Sequence, residues 1–196
     1  MTVQTREIVL ASSSNYRKAL IARLGLDCSS IAPDIDESAL SGEAPVATAT
    51  RLAQAKARKV AVATPGALII GSDQVALLDD AVMGKPGSHA AAVKQLQAMS
   101  GKTTVFHTAI SLYDAANDEM QCANVPTVVR MRELSDDAIE RYLNRDQPYD
   151  CAGSAKIEAL GIALVEKVES DDPTALIGLP LITLVTMLKR AGIALP

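Results

Sequence analysis

The sequence predicts an α/β fold, in which strands and helices alternate along a chain of 196 residues. Short apolar segments typical of buried strands are followed by segments whose apolar residues recur with helical spacing. Serine, glycine and proline stand between these segments, where they cap helices or form turns. Interleaving of this kind is typical of α/β sheets. The length is enough for one sizeable core and for two lobes.

In the first half of the chain, apolar runs predict the strands and capping residues predict the helices. The serines of SSSN can cap a helix that follows the first apolar run and ends at Gly25. The turn-like segment SGEAP precedes a longer helix, and Asp79-Asp80 stand between two apolar runs as a hairpin turn. The predicted strands cover residues 8–11, 28–35, 68–70, 75–78 and 81–83, and the predicted helices cover residues 16–25 and 46–64.

In the second half, Ser88 and Gly101 delimit a helix that follows the GKPG loop at residues 84–87. Two long segments with alternating polarity flank Asn117-Asp118, which is typical of an antiparallel pair. The predicted helices cover residues 88–99, 135–144 and 180–191, and the predicted strands cover residues 105–113, 121–131 and 161–168.

Composition and charge exclude several classes of protein. The chain is 48% hydrophobic and 21% charged, as ordinary globular proteins are, and its net charge of -4 argues against binding to a nucleic acid polymer. Three cysteines without a C-x-x-C pair indicate a reduced, cytoplasmic protein. The start of the sequence is not expected to act as a signal peptide, because its apolar stretch is very short. The most apolar late segment falls short of the roughly 20 residues of a membrane span.

Several common catalytic motifs do not occur. The metalloprotease motif H-E-x-x-H is missing, and two histidines make a histidine-rich zinc site improbable. Residues 101–103 (GKT) resemble the end of a P-loop, but Leu96 occupies the position of its first glycine. The dinucleotide motif G-x-G-x-x-G and the nucleophile elbow G-x-S-x-G are also absent.

Charged residues at four predicted element ends remain. Arg17 and Lys18 follow LASSS in the first turns of a helix, where backbone N–H groups suit a phosphate. Asp36-Glu37 follow the second strand, Asp73 follows an apolar strand, and Lys85 lies in the GKP loop. Taken singly, these features also fit helix capping, a solvated turn, a turn-capping aspartate and a surface turn. Together they supply the carboxylates and cations that polyphosphate hydrolysis requires, including ligands for Mg²⁺.

Lys56 lies on the apolar face of the helix over residues 46–64. Its ammonium group can reach past the core to solvent, as lysines on apolar faces commonly do. Alternatively, the side chain is aimed into a cleft. The sequence pattern alone leaves both interpretations open.

These segments, taken in order, resemble the Maf-like nucleotide pyrophosphatases over nearly the whole chain. The family pattern L-A-S-x-S-P-x-R-R corresponds here to LASSSNYRK, and the acidic turn P-x-x-x-D-E to APDIDE at residues 32–37. The helix motif R-L-A-x-x-K-A is RLAQAKA at residues 51–57. GSDQV, GKP, CAGS at residues 151–154 and IGLP at residues 177–180 follow. Two positions depart from the pattern, because Asn15 replaces proline and Lys18 replaces the second arginine; lysine keeps the charge but loses the bidentate fork.

The resemblance implies a single domain over residues 1–196 with the fold of the inosine triphosphate pyrophosphatases: an elongated mixed sheet flanked by helices, with two lobes and a central cleft. It also implies hydrolysis of a nucleoside triphosphate to the monophosphate and pyrophosphate with Mg²⁺ or Mn²⁺, by a cytoplasmic homodimer. By motif, Asp73 would accept a proton and bind the metal, and Glu37 would bind the metal or position the attacking water. Lys56 and Lys85 would be catalytic residues that hold the phosphates together with Arg17. The substrate-binding residues would be Ser12, Ser14 and Arg17.

The residues beside the motifs are similar to those of the branch that hydrolyses 7-methyl-GTP. The branch for dTTP and UTP has G-A-D-T and a later glutamine, whereas this chain has Gln74 and Glu158, and Tyr16 provides the aromatic residue near the first motif. N7-methylation makes guanine cationic, so a carboxylate at Glu158 can accept its N–H groups and offset its charge. Tyr16 can stack on the ring, and Gln74 can hydrogen-bond a base edge. Tyr16 packed within its helix and Glu158 exposed in a loop are the structural alternatives.

Two alternative functions stay open from the sequence. The first is a pyrophosphatase for dTTP, UTP or another modified nucleotide. The second is a non-catalytic nucleotide sensor that regulates cell division, since some family members are associated with septum formation.

Overall fold

The computed structural model describes residues 6–195 and contains a seven-stranded mixed sheet with five α-helices. The strands are β1 (Ile8–Ala11), β2 (Cys28–Ile31), β3 (Leu68–Leu78), β4 (Ala81–Val82), β5 (Thr103–Asp114), β6 (Glu119–Met131) and β7 (Val165–Ser170). The helices are α1 (Asn15–Ala22), α2 (Pro45–Ala61), α3 (His89–Met99), α4 (Asp136–Asp146) and α5 (Leu181–Arg190). None of the helices within residues 6–195 is both long and apolar enough to cross a membrane.

The sheet combines parallel and antiparallel pairs, as the alternation of elements predicts. The strand order is β2-β1-β3-β5-β6-β7, and β4 pairs with β3 beside this path. β1 is parallel to β2 and to β3, with Ile8 opposite Leu68 and Leu10 opposite Ile70. β3 with β4 and β6 with β7 are antiparallel pairs. The predicted α/β class is therefore confirmed.

The chain divides into two compact units, which match in number the two lobes that the resemblance implies. Unit 1 contains the described residues up to Gln74, the segment Thr108–Val125 and the residues from Asp172 onward. Unit 2 contains Val75–His107 and Pro126–Asp171. The expectation of a single domain over residues 1–196 stays a prediction.

In unit 1, the core lies on both faces of the parallel strands, which explains their continuous apolar runs. Leu10 and Ile70 belong to one apolar cluster, together with Leu184 of α5. Val9 and Ile69 point to the opposite face and pack in a second cluster with Val60 of α2. One face of β3 therefore packs with α5, and the other face packs with α2.

The third predicted strand was too short, because β3 continues from residue 70 through GSDQ to Leu78. Its parallel partner β1 ends at Ala11, but β5 and β4 also pair with β3. Pairing with the later strand β5 and with the hairpin strand β4 thus keeps the backbone extended past Gly71. Asp73 lies inside the strand, beyond the end of β1, and not after the strand as the sequence predicted.

Other predicted boundaries differ in smaller ways. The second strand ends at Ile31, and the strand predicted over 161–168 begins only at Val165, after a 3₁₀ turn over Leu160–Leu164. The first helix ends at Ala22, with Gly25 in a turn at a φ of 63°. The hairpin at Asp79-Asp80 and the serine-capped starts of α3 and α4 are confirmed.

Candidate active site

Lys56 joins two of the predicted catalytic carboxylates. Its Nζ atom lies 2.6 Å from Asp73 Oδ1 and 2.9 Å from Glu37 Oε1. The residue is only 4% exposed, so the interpretation that its ammonium group reaches solvent is wrong. Because a buried ammonium group is costly without partners, the two carboxylates explain how α2 tolerates a lysine on its core face.

A glycine in β3 brings helix α2 close enough for this contact. A Cβ atom on Gly71 would lie 2.0 Å from the carbonyl oxygen of Ala53, so no other residue fits without movement. The hydroxyl group of Ser111 in β5 donates to the same carbonyl oxygen at 2.9 Å. Lys56 lies one helical turn after Ala53 on the same face of α2, and Asp73 points to the same side of β3 as Gly71. The close approach therefore sets the contact between Lys56 and Asp73.

The two carboxylates differ in their exposure. The side chain of Asp73 is 15% exposed, whereas that of Glu37 is 58% exposed. Asp73 is fixed by strand β3, while Glu37 belongs to a loop between β2 and α2 that has no regular secondary structure. Asp73 is therefore a preorganised group, and Glu37 is the member of the pair that is open to solvent.

A bidentate ion pair anchors the loop that carries Glu37. Arg51 of α2 donates to both carboxylate oxygens of Glu43, at 2.7 Å each, and to the carbonyl oxygen of Ser38 at 3.0 Å. Hydrogen bonding from Arg51 lowers the pKa of Glu43 from 4.5 to about 2. Asp36 accepts a hydrogen bond from the backbone N–H of Ser38 at 2.9 Å, which shapes the turn next to Glu37.

Arg17, in the first turn of α1, is oriented by a glycine carbonyl from the turn before α5. Its Nε atom donates to Gly178 O at 2.8 Å, and the hydroxyl group of Ser72 lies 2.8 Å from the same oxygen. Gly178 has a φ of 110°, which favours glycine. Burial lowers the pKa of the Arg17 guanidinium, and the negative charges of Asp73 and Glu37 oppose that shift. Arg17 thus interacts electrostatically with the acidic pair.

The two predicted substrate-binding serines hold the local backbone. The hydroxyl oxygen of Ser14 caps α1 by accepting from the N–H of Arg17, so the capping interpretation is confirmed. Ser12 is buried, and its hydroxyl oxygen accepts from the N–H of Ser14 at 3.1 Å. Tyr16 is half-buried in the first turn of the helix. The substrate contacts of these residues stay predictions.

Gln74 lies next to Asp73 on the opposite face of β3. Its Nε2 atom lies 2.8 Å from Thr108 Oγ1, 3.0 Å from Ala175 O and 3.1 Å from Leu176 O. These two carbonyl groups belong to the turn that also holds Arg17. The same turn therefore supports a predicted phosphate ligand and a predicted base selector.

Lys85 and Glu158 lie in unit 2, in separate loops, and both are exposed. The loop of Lys85 is held by Gly84 O, which accepts from Gln95 Nε2 at 2.9 Å, and Ser154 of the CAGS segment donates to Gln95 Oε1 at 2.5 Å. Glu158 follows Lys156, whose backbone N–H donates to the hydroxyl group of Tyr142 at 3.0 Å. The structure therefore shows Glu37, Lys56 and Asp73 in contact, while the roles of Lys85 and Glu158 stay predictions.

The donor set at Lys56 can be compared with the needs of a divalent metal. Within residues 6–195, no three His, Cys, Asp or Glu side chains stand close enough together to form a metal site. Glu37 and Asp73 share one ammonium group, through Glu37 Oε1 and Asp73 Oδ1. Mg²⁺ commonly takes one or two carboxylates and completes its coordination with water and substrate phosphates, so two carboxylates fit such an ion.

Sequence reasoning missed the residues that support the site. Asp172 is 1% exposed and accepts from Thr174 Oγ1 at 2.7 Å and from the N–H of Ile182 at 2.8 Å, so it caps α5 and fixes the preceding turn. The signal for these residues was present in the segment DPTALIGLP, where proline and glycine mark a turn before an apolar helix. For Gly71, the available signal was a glycine directly after the predicted strand, since a glycine in a strand often marks close backbone approach.

Comparisons with known proteins agree with these motifs. A family model described as Maf-like protein matches residues 7–191. A protein of Aromatoleum aromaticum named 7-methyl-GTP pyrophosphatase is 54% identical over 190 residues, which cover 97% of this chain and 98% of that relative. A relative with the same name from Methylobacillus flagellatus is 57% identical over 186 residues, which cover 95% of this chain and 97% of that relative. A third relative with this name, from Cupriavidus metallidurans, is 54% identical over 193 residues, which cover 98% of this chain and 97% of that relative.

Proposed function

Since this chain belongs to the Maf-like protein family, we propose that it hydrolyses 7-methyl-GTP to 7-methyl-GMP and pyrophosphate. The observation that carries the proposal is the contact of Lys56 with Asp73 and Glu37, at positions that match the family motifs. The names of relatives that span nearly the whole chain support the choice of 7-methyl-GTP. In the cell, this activity would remove a modified nucleotide from the pool.

In the proposed reaction, a water molecule attacks the α-phosphorus of the nucleotide. The bond from that phosphorus to the bridging oxygen breaks, and pyrophosphate leaves with the electron pair of that bond. Asp73 accepts the proton of the attacking water, because it is a fixed carboxylate at the centre of the cluster. Lys56, Arg17 and Lys85 offset the negative charge on the phosphoryl oxygens. Ser12 and Ser14, whose hydroxyl oxygens accept from the N–H groups of Ser14 and Arg17, shape the start of α1, where a phosphate can bind.

We propose Glu37 and Asp73 as the ligands of a divalent metal, Mg²⁺ or Mn²⁺. When bound, such an ion would add positive charge beside the phosphoryl oxygens. The exposure of Glu37 supports this assignment, because an ion that arrives with the nucleotide needs a carboxylate accessible from solvent. Lys56 then holds the two carboxylates together by offsetting their mutual repulsion.

The base would be selected by Tyr16, Gln74 and Glu158. A carboxylate at Glu158 suits a cationic base that carries N–H donors, and an aromatic ring at Tyr16 suits stacking on that base. Stacking of an aromatic side chain on a base is worth about 1–3 kcal/mol, which is enough to rank substrates. A neutral pyrimidine would offer Glu158 less charge complementarity.

We further propose that the protein is a cytoplasmic homodimer. The location rests on the three cysteines, Cys28, Cys122 and Cys151, none of which forms a disulfide bond; this suits a reducing compartment. The dimer rests on the family resemblance alone. Light scattering on the purified protein measures its mass in solution, and a monomer at micromolar concentration would contradict the dimer.

A substrate panel tests the proposed function. Pyrophosphate release from 7-methyl-GTP, GTP, dTTP and UTP should be measured with Mg²⁺, with Mn²⁺ and with a chelator. We expect 7-methyl-GTP to have the highest kcat/KM and the chelator to abolish turnover. Preference for dTTP or UTP would indicate the other branch of the family. Tight nucleotide binding without pyrophosphate release would indicate a sensor.

A further inference from the structure

We propose that Thr108 is a positioning residue that fixes the side-chain amide of Gln74, so that its carbonyl oxygen is the group offered to the nucleobase. Thr108 lies in β5 and carries a fully buried hydroxyl group. The part of the inference that concerns the base rests on the proposed function. The part that concerns the amide orientation rests on contacts within unit 1.

The hydroxyl group of Thr108 has a defined hydrogen-bond direction. Thr108 Oγ1 lies 2.8 Å from Ala175 O, and a carbonyl oxygen can only accept, so the single hydroxyl hydrogen points to Ala175. Only lone pairs remain to face Gln74, whose Nε2 atom lies 2.8 Å from Thr108 Oγ1. The amide atom that faces Thr108 must therefore be a donor, which is the amino group of Gln74 and not its carbonyl oxygen.

The turn before α5 requires the same orientation. Ala175 O and Leu176 O lie 3.0 and 3.1 Å from Gln74 Nε2, and both can only accept. Rotating the amide by 180° would place Gln74 Oε1 against two carbonyl oxygens and a hydroxyl oxygen whose hydrogen is engaged. The amino group of Gln74 is thus directed into the protein, and no described residue donates to Oε1.

The turn is itself rigidly supported, so it can hold the amide. Thr174 Oγ1 donates to Asp172 Oδ1 at 2.7 Å and accepts from the N–H of Leu181 at 2.7 Å. Asp172 Oδ2 accepts from the N–H groups of Ile182 and Thr183 at the start of α5. The carbonyl groups that face Gln74 are therefore tied to a helix end.

This orientation has a consequence for substrate choice. A guanine base carries two neighbouring donors, the N1–H and the exocyclic amino group, whereas uracil and thymine carry one N–H. A glutamine that offers only an acceptor favours the base with the larger number of donors. Loosening the amide should therefore change the ranking of bases more than it changes the chemical step.

The test compares three substitutions in β5. Thr108→Val removes the hydroxyl group, Thr108→Ser keeps it, and Thr104→Val is the matched control. Thr104 is a fully buried threonine four residues earlier in the same strand, and its hydroxyl group has no hydrogen-bond partner. The readouts are kcat and KM for 7-methyl-GTP and UTP, and the NMR signals and solvent exchange of the Gln74 side-chain amide.

We expect Thr108→Val to lower the ratio of kcat/KM for 7-methyl-GTP over UTP by about 3- to 10-fold, mainly through KM, which is the effect of one hydrogen bond. The Gln74 amide should exchange faster in this variant, while Thr108→Ser and Thr104→Val should match the wild type. An unchanged ratio together with unchanged amide exchange would overturn the inference, as would an equal drop in Thr104→Val. A wild-type enzyme that prefers UTP would refute the proposed function instead, and amide exchange would still decide the role of Thr108.

Discussion

At the scale of single residues, the site depends on one buried cation between two carboxylates of unequal exposure. Lys56 and Asp73 are held by regular secondary structure, whereas Glu37 lies in a loop. Such an arrangement suits the proposed roles, in which the fixed Asp73 accepts a proton and the accessible Glu37 binds a metal. Substitutions at Asp73 and Lys56 test the proton acceptor and the buried cation separately.

Asp73→Asn tests the proton acceptor. Asparagine keeps the shape and an oxygen for Lys56 but cannot take a proton from water. We expect kcat to fall by at least about 100-fold, the lower end of the range for general bases. The melting temperature should also fall, because Lys56 loses one of its two charged partners, while the fold is retained. Steady-state kinetics and thermal unfolding measure both effects. Turnover within a few-fold of the wild type would remove Asp73 from the mechanism.

Lys56→Met tests the electrostatic role of the buried ammonium group. Methionine fills the space but leaves Asp73 without its partner, which should lower the free energy of unfolding by roughly 2–4 kcal/mol, less than for a fully buried pair because Glu37 is exposed. Urea denaturation measures this loss. In the double variant with Asp73→Asn, part of the stability should return, since the unpaired charge is gone. Strictly additive losses would show that the two side chains are not coupled.

At the scale of elements, the packing of α2 on β3 sets the geometry of the site. The contact depends on Gly71, where a Cβ atom would lie 2.0 Å from Ala53 O, and on the hydroxyl group of Ser111. The loop between β2 and α2 is tied to the same helix through Arg51 and Glu43. Helix α2 thus positions Lys56 directly and Glu37 through its loop.

Gly71→Ala tests the close approach. The added methyl group must push α2 away from β3, so we expect a destabilisation of roughly 1–3 kcal/mol and a large loss of turnover as Lys56 moves from Asp73. Gly66→Ala is the matched control, because a Cβ atom there meets nothing within 4 Å. Denaturant unfolding and pyrophosphate release should separate the two variants. Equal stability and equal turnover of the two variants would show that Gly71 does not set the distance between α2 and β3.

The ion pair of Arg51 and Glu43 makes the stability of the fold depend on pH, and the direction of this dependence follows from the pKa of Glu43. The pKa of Glu43 is about 2 in the folded protein against 4.5 in the unfolded chain. Its contribution to stability is therefore complete above pH 4.5 and is lost as the pH falls towards 2. Glu43→Gln should be less stable than the wild type at pH 6, and the difference should shrink below pH 4.5. A difference that stays constant down to pH 2 would contradict the assigned pair.

At the scale of the whole molecule, the sequence predicts elements with local signals better than elements set by distant partners. The hairpin at Asp79 and the caps of α3 and α4 follow from turn and capping residues, and the structure confirms them. The continuation of β3 through Gly71 could not be predicted in this way, because its pairing partners come from remote segments. The family resemblance, which the comparisons confirm, supplied what local patterns lacked.

In the candidate site, too, some features could be predicted from sequence motifs and others depend on distant partners. Motif order identified Lys56 and Asp73, and their contact confirms that the two motifs meet. The orientation of Gln74 depends on carbonyl groups of Ala175 and Leu176, about a hundred positions away in the sequence. Backbone carbonyl groups carry no residue-specific signal, so no pattern in the sequence could have assigned them.

The position of the turn before α5 also constrains how the protein is made. The carbonyl groups that orient Arg17 and Gln74 belong to residues 175–178, and their support reaches into α5. A ribosome produces these residues long after the strands that they brace. The support for Arg17 and Gln74 is therefore incomplete in a nascent chain until the residues up to Thr183 have been synthesised and can fold onto it.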